Sequence, residues 1–317
     1  MLKPRMFSLL LTFVFLPIEA WSQSEFTMEQ AKSFIDGGMQ TLAPLVERAT
    51  RRNATENVTV KKDIPYQQHA DVDQVRLSLD LYTSGEVSSD SEKPLILYVH
   101  GGGWLGGDKA SALFKSAEFV EAGYVFASAN YRFRPEASLV EITQSVADAV
   151  GWLHREAREF GGDPNRIFLM GHSAGAHLVS VLGTNPAFLR KSLVPMDAIS
   201  GVISLDTAVY DLPKLASSSS FHAMVFDGLQ STWLDVSPMH QIHNNPAKTP
   251  FLVFYSEGRP AYATQVVPFV EKLRLAGYPV SIHEAKGRSH EELDKQIGTQ
   301  DDESTQQIRN FLIEYSK

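Results

Sequence analysis

The chain has 317 residues and a formal net charge of −8, with 43% hydrophobic and 21% charged residues. This balance is typical of a folded globular protein and excludes a disordered or collagen-like chain. The acidic surplus, with a pI of about 5.7, argues against broad electrostatic binding of nucleic acid or anionic lipid. The absence of cysteine from the sequence excludes disulfides, thiolate nucleophiles and Cys-ligated metal centres.

The amino terminus has the pattern of an export signal. Lys3 and Arg5 precede an apolar run at 7–16, Pro17 breaks this run, and Ala20 and Ser22 fit a small-x-small cleavage site. The apolar run is shorter than the roughly 20 residues that span a bilayer. We therefore expect a signal peptide at 1–22, a secreted or periplasmic product without a membrane span, and a helical appendage at 23–57.

From residue 58 onward, segments typical of strands and of helices alternate. The runs at 58–64 and 75–82 alternate apolar and polar residues, which favours antiparallel strands, whereas 95–99 (LILYV) is typical of a strand buried on both faces. Further strands are predicted at 125–129, 167–170, 199–205, 251–255 and 280–283. The pattern predicts an α/β fold, with one mostly parallel sheet flanked by helices over 58–317 and a cap-like excursion at about 206–248.

The strongest chemical motif is a G-x-S-x-G sequence centred on Ser173, with Gly171 and Gly175 at its ends. A predicted strand precedes it and a predicted helix follows it, which is the context of a nucleophile elbow. Small residues at both ends allow the sharp turn that exposes the serine hydroxyl. A hydroxyl is a poor nucleophile until a base takes its proton, so Ser173 needs a histidine nearby.

A second motif, HGGGW at 100–104, directly follows the predicted strand at 95–99. Consecutive glycines let backbone N–H groups point outward, as a developing oxyanion requires. We expect the N–H groups of Gly102, Gly103 and Ala174 to form the oxyanion hole. A phosphate cradle is disfavoured, because the motif lacks both the P-loop ending and the G-x-G-x-x-G spacing. His100 is expected to brace the loop.

These motifs resemble those of α/β-hydrolase esterases of the hormone-sensitive-lipase and carboxylesterase-like group. Within that group the sequence is most similar to bacterial secreted esterases akin to kynurenine formamidases. The resemblance covers about 63–312, and its motifs are LDLY at 79–82, HGGGW with Gly107-Asp108-Lys109, NYR at 130–132, GDP at 162–164 and GHSAGAHL at 171–178. It implies the α/β-hydrolase fold and an acyl-enzyme mechanism on Ser173.

In this fold the acid and then the histidine follow the serine along the chain. His290, after the last predicted strand, is the best candidate for the general base. The resemblance implies an acid after the seventh strand, yet Gly258 or Arg259 occupies that place. The nearest carboxylate, Glu257, is our preferred acid, and Asp206 at the end of the sixth strand is the alternative. A dyad supported by water, or loss of the triad, is also open.

The substrate side of the site is less clearly encoded. Trp104 beside the oxyanion loop and His172 beside the nucleophile are the candidates for substrate contacts, although His172 also fits a structural role. No metal-ligand motif occurs, so we predict no metal and no cofactor. The predicted function is hydrolysis of a small carboxylic ester, short-chain or aryl. The alternatives are an arylformamidase-type amide hydrolase and a catalytically impaired binding protein of the same fold.

Overall fold

The computed structural model describes residues 29, 32–33, 42–55, 57–85, 92–218, 225–226, 230–259 and 261–316. The predicted signal peptide at 1–22 and about half of the appendage at 23–57 lie outside these residues, so the signal peptide and the bounds of the appendage stay predictions. No helix among the described residues has the length and apolar composition that a bilayer crossing requires.

The centre of the protein is one sheet of eight strands in the order β1-β2-β4-β3-β5-β6-β7-β8. The first two strands are antiparallel additions at one edge, as predicted, and all pairs from β4 onward are parallel. The strands are β1 Val58–Pro65, β2 Ser78–Ser84, β3 Lys93–Val99, β4 Val125–Ala129, β5 Gly162–His172, β6 Ile199–Leu205, β7 Phe251–Ser256 and β8 Val280–Ala285.

The parallel strands are apolar because helices cover both faces of the sheet. In β3, every residue from Leu95 to Val99 is buried, and alternate side chains enter two different apolar clusters. The second strand begins three residues later than the sequence suggested. Residues Gln74–Leu77 form a 3-10 turn instead, because the Asp73 carboxylate accepts the N–H of Val75 at 3.1 Å.

The helices that flank the sheet are more numerous than the sequence indicated. The sequence predicts helices at 110–122, 140–160, 174–182, 263–276 and 304–315, and each of these segments contains a helix. The resemblance also implied a short helix after His290, which is present, whereas the helix at 186–191 and those of the excursion had not been predicted. The α-helices are α1 Ala43–Thr55, α2 Lys115–Glu121, α3 Leu139–Glu156, α4 Ala174–Thr184, α5 Pro186–Lys191, α6 Leu212–Ser218, α7 Gln230–Trp233, α8 Pro238–Gln241, α9 Val267–Leu275, α10 His290–Gln296 and α11 Glu303–Tyr315.

The amino-terminal helix α1 is fastened to the body of the protein by one cation. Arg52 donates to the carbonyl of Gly298, and its guanidinium also lies 3.4 Å from Glu118 and 3.7 Å from Glu121. Glu118 is 4% exposed and also pairs with Arg309. Since Gly298 follows α10, helix α1 contacts the end of the segment that begins at His290.

The parallel strands place their carboxyl ends along one edge of the sheet. In open α/β sheets, ligands bind beyond this edge, where the strand-to-helix loops begin. The segments 100–104, 172–174 and 206 follow β3, β5 and β6 directly, so the topology brings the candidate residues together. The excursion at 206–248 also leaves the sheet at this edge, and its described parts are the short helices α6, α7 and α8.

Candidate active site

Ser173 occupies the sharp turn between β5 and α4, as its motif predicts. Its backbone has φ +53° and ψ −115°, a strained conformation for a residue with a side chain. A Cβ at Gly171 would lie 2.4 Å from the Gly175 carbonyl oxygen, and one at Gly175 would lie 2.1 Å from that of Val99. The turn is therefore possible only with glycine at both positions. The Ser173 N–H donates to Leu205 at 2.9 Å, which fixes the turn against β6.

The imidazole of His290 contacts the Ser173 hydroxyl. His290 Nε2 lies 3.0 Å from Ser173 Oγ, and its Nδ1 lies 2.8 Å from Asp206 Oδ2. Both distances are within hydrogen-bonding range. With Nδ1 protonated and directed at the carboxylate, Nε2 is free to accept the serine proton. The three side chains come from β5, β6 and the loop after β8, and 84 and 117 residues of sequence separate His290 from its two partners.

The carboxylate beside His290 belongs to Asp206, so our preference for Glu257 is wrong. Glu257 is exposed, and its Oε2 accepts the N–H of Gly287 at 2.8 Å. It therefore supports the turn before His290 from outside and does not contact the ring. The acid has moved from the seventh strand to the sixth, and Arg259 stands near the place where the resemblance implied it.

Asp206 is completely buried and has φ +56°, directly after the last residue of β6. Burial alone would raise the pKa of this carboxyl, but the hydrogen bond and charge of His290, with the charge of Arg259, hold it well below its usual value. Asp206 is consequently ionised at neutral pH. A permanent anion behind the imidazole is the arrangement that stabilises its protonated form.

The glycine loop after β3 lies against the nucleophile. A Cβ at Gly101 would be 3.1 Å from that of Ser173, and Gly102 has φ +122° with its Cβ position 2.1 Å from the Gly106 carbonyl oxygen. Within the described ranges, the N–H groups of Gly102, Gly103 and Ala174 have no hydrogen-bond acceptor. Three free donors at the end of β3 and the start of α4 match the requirements of an oxyanion hole.

The shape of this loop depends on contacts beneath it. The His100 ring stacks on Tyr131 at 4.4 Å, and its Nδ1 lies 2.7 Å from the Gly101 carbonyl oxygen. Tyr131 in turn donates its hydroxyl to the His100 carbonyl at 2.9 Å. Burial lowers the pKa of His100 to about 4, so the ring is neutral at physiological pH. His100 therefore braces the loop, as predicted.

Three of the family-like motifs meet in one charged network behind the loop. Lys109 is almost fully buried, with its ammonium 2.6 Å from Asp63 and 3.2 Å from Asp80. The backbone N–H of Lys109 donates to the side-chain oxygen of Asn130 at 2.6 Å. The LDLY, GDK and NYR motifs thus supply one brace, which ties the segment after HGGGW to the antiparallel edge of the sheet.

His172 serves the His290 segment from behind, so it is wrong as a candidate for substrate contact. It is 5% exposed, its Nε2–H donates to the His290 carbonyl at 3.0 Å, and the two rings lie 4.5 Å apart. Trp104 is 3% exposed and makes edge contacts with His177 and Phe226 at 5.4 and 5.5 Å. Phe226 belongs to the excursion, which therefore covers Trp104; a substrate contact of Trp104 stays a prediction.

A buried ion pair that sequence reasoning missed anchors α10, the helix that begins at His290. Lys115 is fully buried, and its ammonium lies 3.0 Å from the Asp294 carboxylate and donates to the Asp294 carbonyl at 2.7 Å. The Tyr98 hydroxyl donates to the same carboxylate at 2.7 Å. Asp294 lies one turn after His290, so these contacts fix the first turn of the helix. Nothing in the sequence around Lys115 indicated that this lysine is buried.

The stability losses from removing the two members of this pair should not add. We expect Lys115→Met to lower the free energy of unfolding by about 3–5 kcal/mol, because Asp294 then stays buried without its cation. The double variant Lys115→Met/Asp294→Leu should be less destabilised than the sum of its single variants. Urea unfolding of the three variants measures this coupling. Strictly additive losses would show that the pair does not act as a unit.

The described residues contain no group of three or more histidine, aspartate or glutamate side chains arranged to hold a metal ion. The candidate catalytic groups are the side chains of Ser173, His290 and Asp206 and the backbone amides of Gly102, Gly103 and Ala174. All of these lie within the segments that leave β3, β5, β6 and β8 at one edge of the sheet.

The comparisons with known proteins point to one family. The sequence profile of the BD-FAE family matches residues 79–258. The chain is 36% identical over 121 residues to a probable isoprenylcysteine alpha-carbonyl methylesterase of Arabidopsis thaliana, which covers 38% of this chain and 27% of that protein. It is 27% identical over 267 residues to esterase LipQ of Mycobacterium tuberculosis, which covers 79% and 60% of the two chains.

A further relative aligns along most of both chains. Kynurenine formamidase of Drosophila melanogaster is 25% identical over 275 residues, covering 84% of this chain and 88% of that protein. By contrast, the alignment with the Arabidopsis methylesterase spans only about a quarter of that protein's length.

The solved structures agree on the fold. The crystal structure of esterase B from Lactobacillus rhamnosis has a TM-score of 0.70 at 19% identity, over 91% of this chain and 95% of that one. The same enzyme has been solved with a tributyrin phosphonate inhibitor, and this structure has a TM-score of 0.69. The eight-stranded sheet described above is therefore that of an α/β-hydrolase.

Proposed function

The chain belongs to the BD-FAE family, and from that premise we propose that it is a serine hydrolase that cleaves carboxylic esters. The observation that carries the proposal is the continuous contact from Ser173 through His290 to Asp206, at 3.0 and 2.8 Å. An unpaired serine or an uncharged partner would not activate the hydroxyl. The complete series of contacts disfavours the alternative of an impaired, purely binding protein.

In the first half of the reaction, Ser173 Oγ attacks the ester carbonyl while His290 Nε2 takes its proton. The imidazole becomes positive at this moment, and the buried Asp206 anion 2.8 Å away stabilises it and keeps the proton on Nδ1. The negative charge that develops on the carbonyl oxygen is bound by the free N–H groups of Gly102, Gly103 and Ala174. Each such donor is worth about 3–4 kcal/mol in a comparable hydrolase.

The first half ends when His290 gives its proton to the leaving alcohol and the acyl-enzyme remains. In the second half, His290 accepts a proton from water. The activated water attacks the acyl group on Ser173, and the same three amides hold the second tetrahedral intermediate. The serine is regenerated when the imidazolium returns its proton to Oγ. No step needs a residue beyond the three side chains and the backbone amides of Gly102, Gly103 and Ala174.

The substrate class rests on the comparisons. Relatives named as esterases and the esterase B structure with a tributyrin phosphonate support an ester with a short acyl chain. An aryl ester stays part of the proposal through the family resemblance. The long alignment with Drosophila kynurenine formamidase favours an N-formyl aryl amide as the second candidate. Both reactions proceed through the same tetrahedral intermediates, so the same residues serve either one.

A paired assay separates the two candidates. We expect hydrolysis of p-nitrophenyl acetate at a kcat/KM at least about tenfold above that of an N-formyl anilide, since the better leaving group needs less protonation by His290. Protein treated beforehand with a fluorophosphonate serves as the blank for both substrates. A higher kcat/KM on the formanilide would make the amide hydrolase the correct assignment. Equal rates in treated and untreated protein would exclude both.

A further inference from the structure

The carboxylate behind the imidazole is shared with a second cation, Arg259. Asp206 Oδ2 contacts His290, whereas its Oδ1 lies 3.3 Å from Nε of Arg259. An Nη2–H of Arg259 also points at the Asp206 backbone carbonyl, 3.4 Å away. The arginine follows β7, in the turn where the family resemblance implied the acid itself. A fixed positive charge therefore stands on the far side of the anion that serves the base.

The contact between Arg259 and Asp206 is an ion pair without the alignment of a good hydrogen bond. Among the described residues, neither Arg259 Nε nor Asp206 Oδ1 has a well-aligned hydrogen-bond partner, although the two atoms are only 3.3 Å apart. The Arg259 side chain is 20% exposed, and Asp206 is fully buried. Water therefore screens the pair only in part, and a charge so placed acts on the imidazole through the shared carboxylate.

The other polar groups around this pair come from four elements. His172 at the end of β5 lies with its ring 4.5 Å from that of His290, and burial lowers the pKa of His172, which favours its neutral form. From α10, Glu291 and Asp294 act on His172, and from β7 the Ser256 hydroxyl faces Asp206. The Tyr210 hydroxyl stands near Asp206, and burial raises its pKa, so it stays uncharged. In the described part of the chain, Arg259 is the permanent cation that faces Asp206.

We propose that Arg259 is a positioning residue that partly neutralises Asp206, so that His290 stays unprotonated, and the enzyme stays active, to lower pH. The inference rests on the proposed function, in which His290 is the general base. A positive charge beside the shared carboxylate opposes a second positive charge on the imidazole. Without it, Asp206 would stabilise the imidazolium more strongly, and the base would become blocked at higher pH. The acid-side limit of activity is thus set by a residue that never contacts the substrate.

The test is the pH dependence of kcat/KM for p-nitrophenyl acetate in matched variants. In Arg259→Gln, the acidic limb should move to higher pH by about 0.5–1 unit, the effect of a nearby charge partly screened by water. In Arg259→Lys, which keeps the charge but not the planar fork, the limb should stay near that of the wild type. Arg274→Gln removes an exposed arginine of α9 that pairs with Glu271 and should leave the profile unchanged.

The pH dependence of the rate at which a fluorophosphonate labels Ser173 measures the same acidic limb without turnover. A variant with a low kcat can therefore still be tested. An unmoved limb in Arg259→Gln, or equal shifts in the Gln and Lys variants, would overturn the role of the charge. These results are distinct from failure of the proposed function. In that case the wild type would neither hydrolyse the ester nor react with the fluorophosphonate at Ser173.

Discussion

Asp206→Asn should lower kcat by about three to four orders of magnitude, as loss of the triad carboxylate does in a serine protease. The amide keeps the size of the side chain but cannot carry the charge that stabilises the imidazolium. It also permits the tautomer in which Nδ1 is the acceptor and Nε2 carries the proton, and this tautomer cannot accept the proton of Ser173. Because Asp206 does not face the substrate, KM should change little. Steady-state kinetics with p-nitrophenyl acetate measures both constants.

Glu257→Gln is the matched control for this substitution. Glutamine keeps an oxygen that can accept the Gly287 N–H, the contact that Glu257 makes at 2.8 Å. We expect a kcat close to that of the wild type. A large loss in Glu257→Gln together with a mild effect of Asp206→Asn would restore the sequence-based choice of acid and contradict the geometry.

Gly102→Ala should lower kcat by about two to three orders of magnitude, the usual cost of losing an oxyanion-hole donor. Gly102 has φ +122°, which a residue with a side chain rarely adopts, and the new methyl carbon would lie 2.1 Å from the Gly106 carbonyl oxygen. The loop must therefore shift, and the N–H groups of Gly102 and Gly103 shift with it. Pre-steady-state acylation and thermal unfolding together separate this effect from general loss of structure.

Gly277→Ala is the control, because it introduces comparable backbone strain away from the site. Gly277 has φ +81° with open space around its Cβ position, and it precedes β8 at the opposite edge of the sheet. Its replacement should cost about 1–2 kcal/mol of stability and leave kcat unchanged. If Gly102→Ala behaved in the same way, the glycine loop would not be the oxyanion hole.

Much of the fold follows from local sequence pattern. The apolar run in β3 and the alternation in β1 are properties of neighbouring residues. Helices and strands of this length can be predicted from such patterns. The start of β2 could not be placed, because the Asp73 side chain competes with the strand for the N–H of Val75. Helix α10 was implied only by the resemblance, because its seven residues, HEELDKQ, show little apolar periodicity. It is held instead by the buried pair of Lys115 and Asp294.

The nucleophile and the base were predictable, whereas the acid was not. Ser173 lies in a G-x-S-x-G sequence between a strand and a helix, the context of a nucleophile elbow, and His290 is the histidine after the last strand. The acid requires only a carboxylate at one point in space, and the ends of two adjacent strands can both reach that point. The signal that could have identified Asp206 was Arg259 in the turn where the acid was expected, because an arginine there favours a carboxylate on a neighbouring strand. The contacts of His172 and Trp104 depend on rings that meet across distant segments, which spacing does not encode.

The most direct test of the mechanism is the site and rate of fluorophosphonate labelling, located by mass spectrometry in the wild type and in His290→Ala. The mechanism predicts a single modified peptide carrying the label on Ser173, and a rate lower by at least about a hundredfold without the imidazole, within the range of general-base contributions. Label on another residue, or labelling of Ser173 at the same rate in both proteins, would contradict the claim that His290 and Asp206 activate this serine.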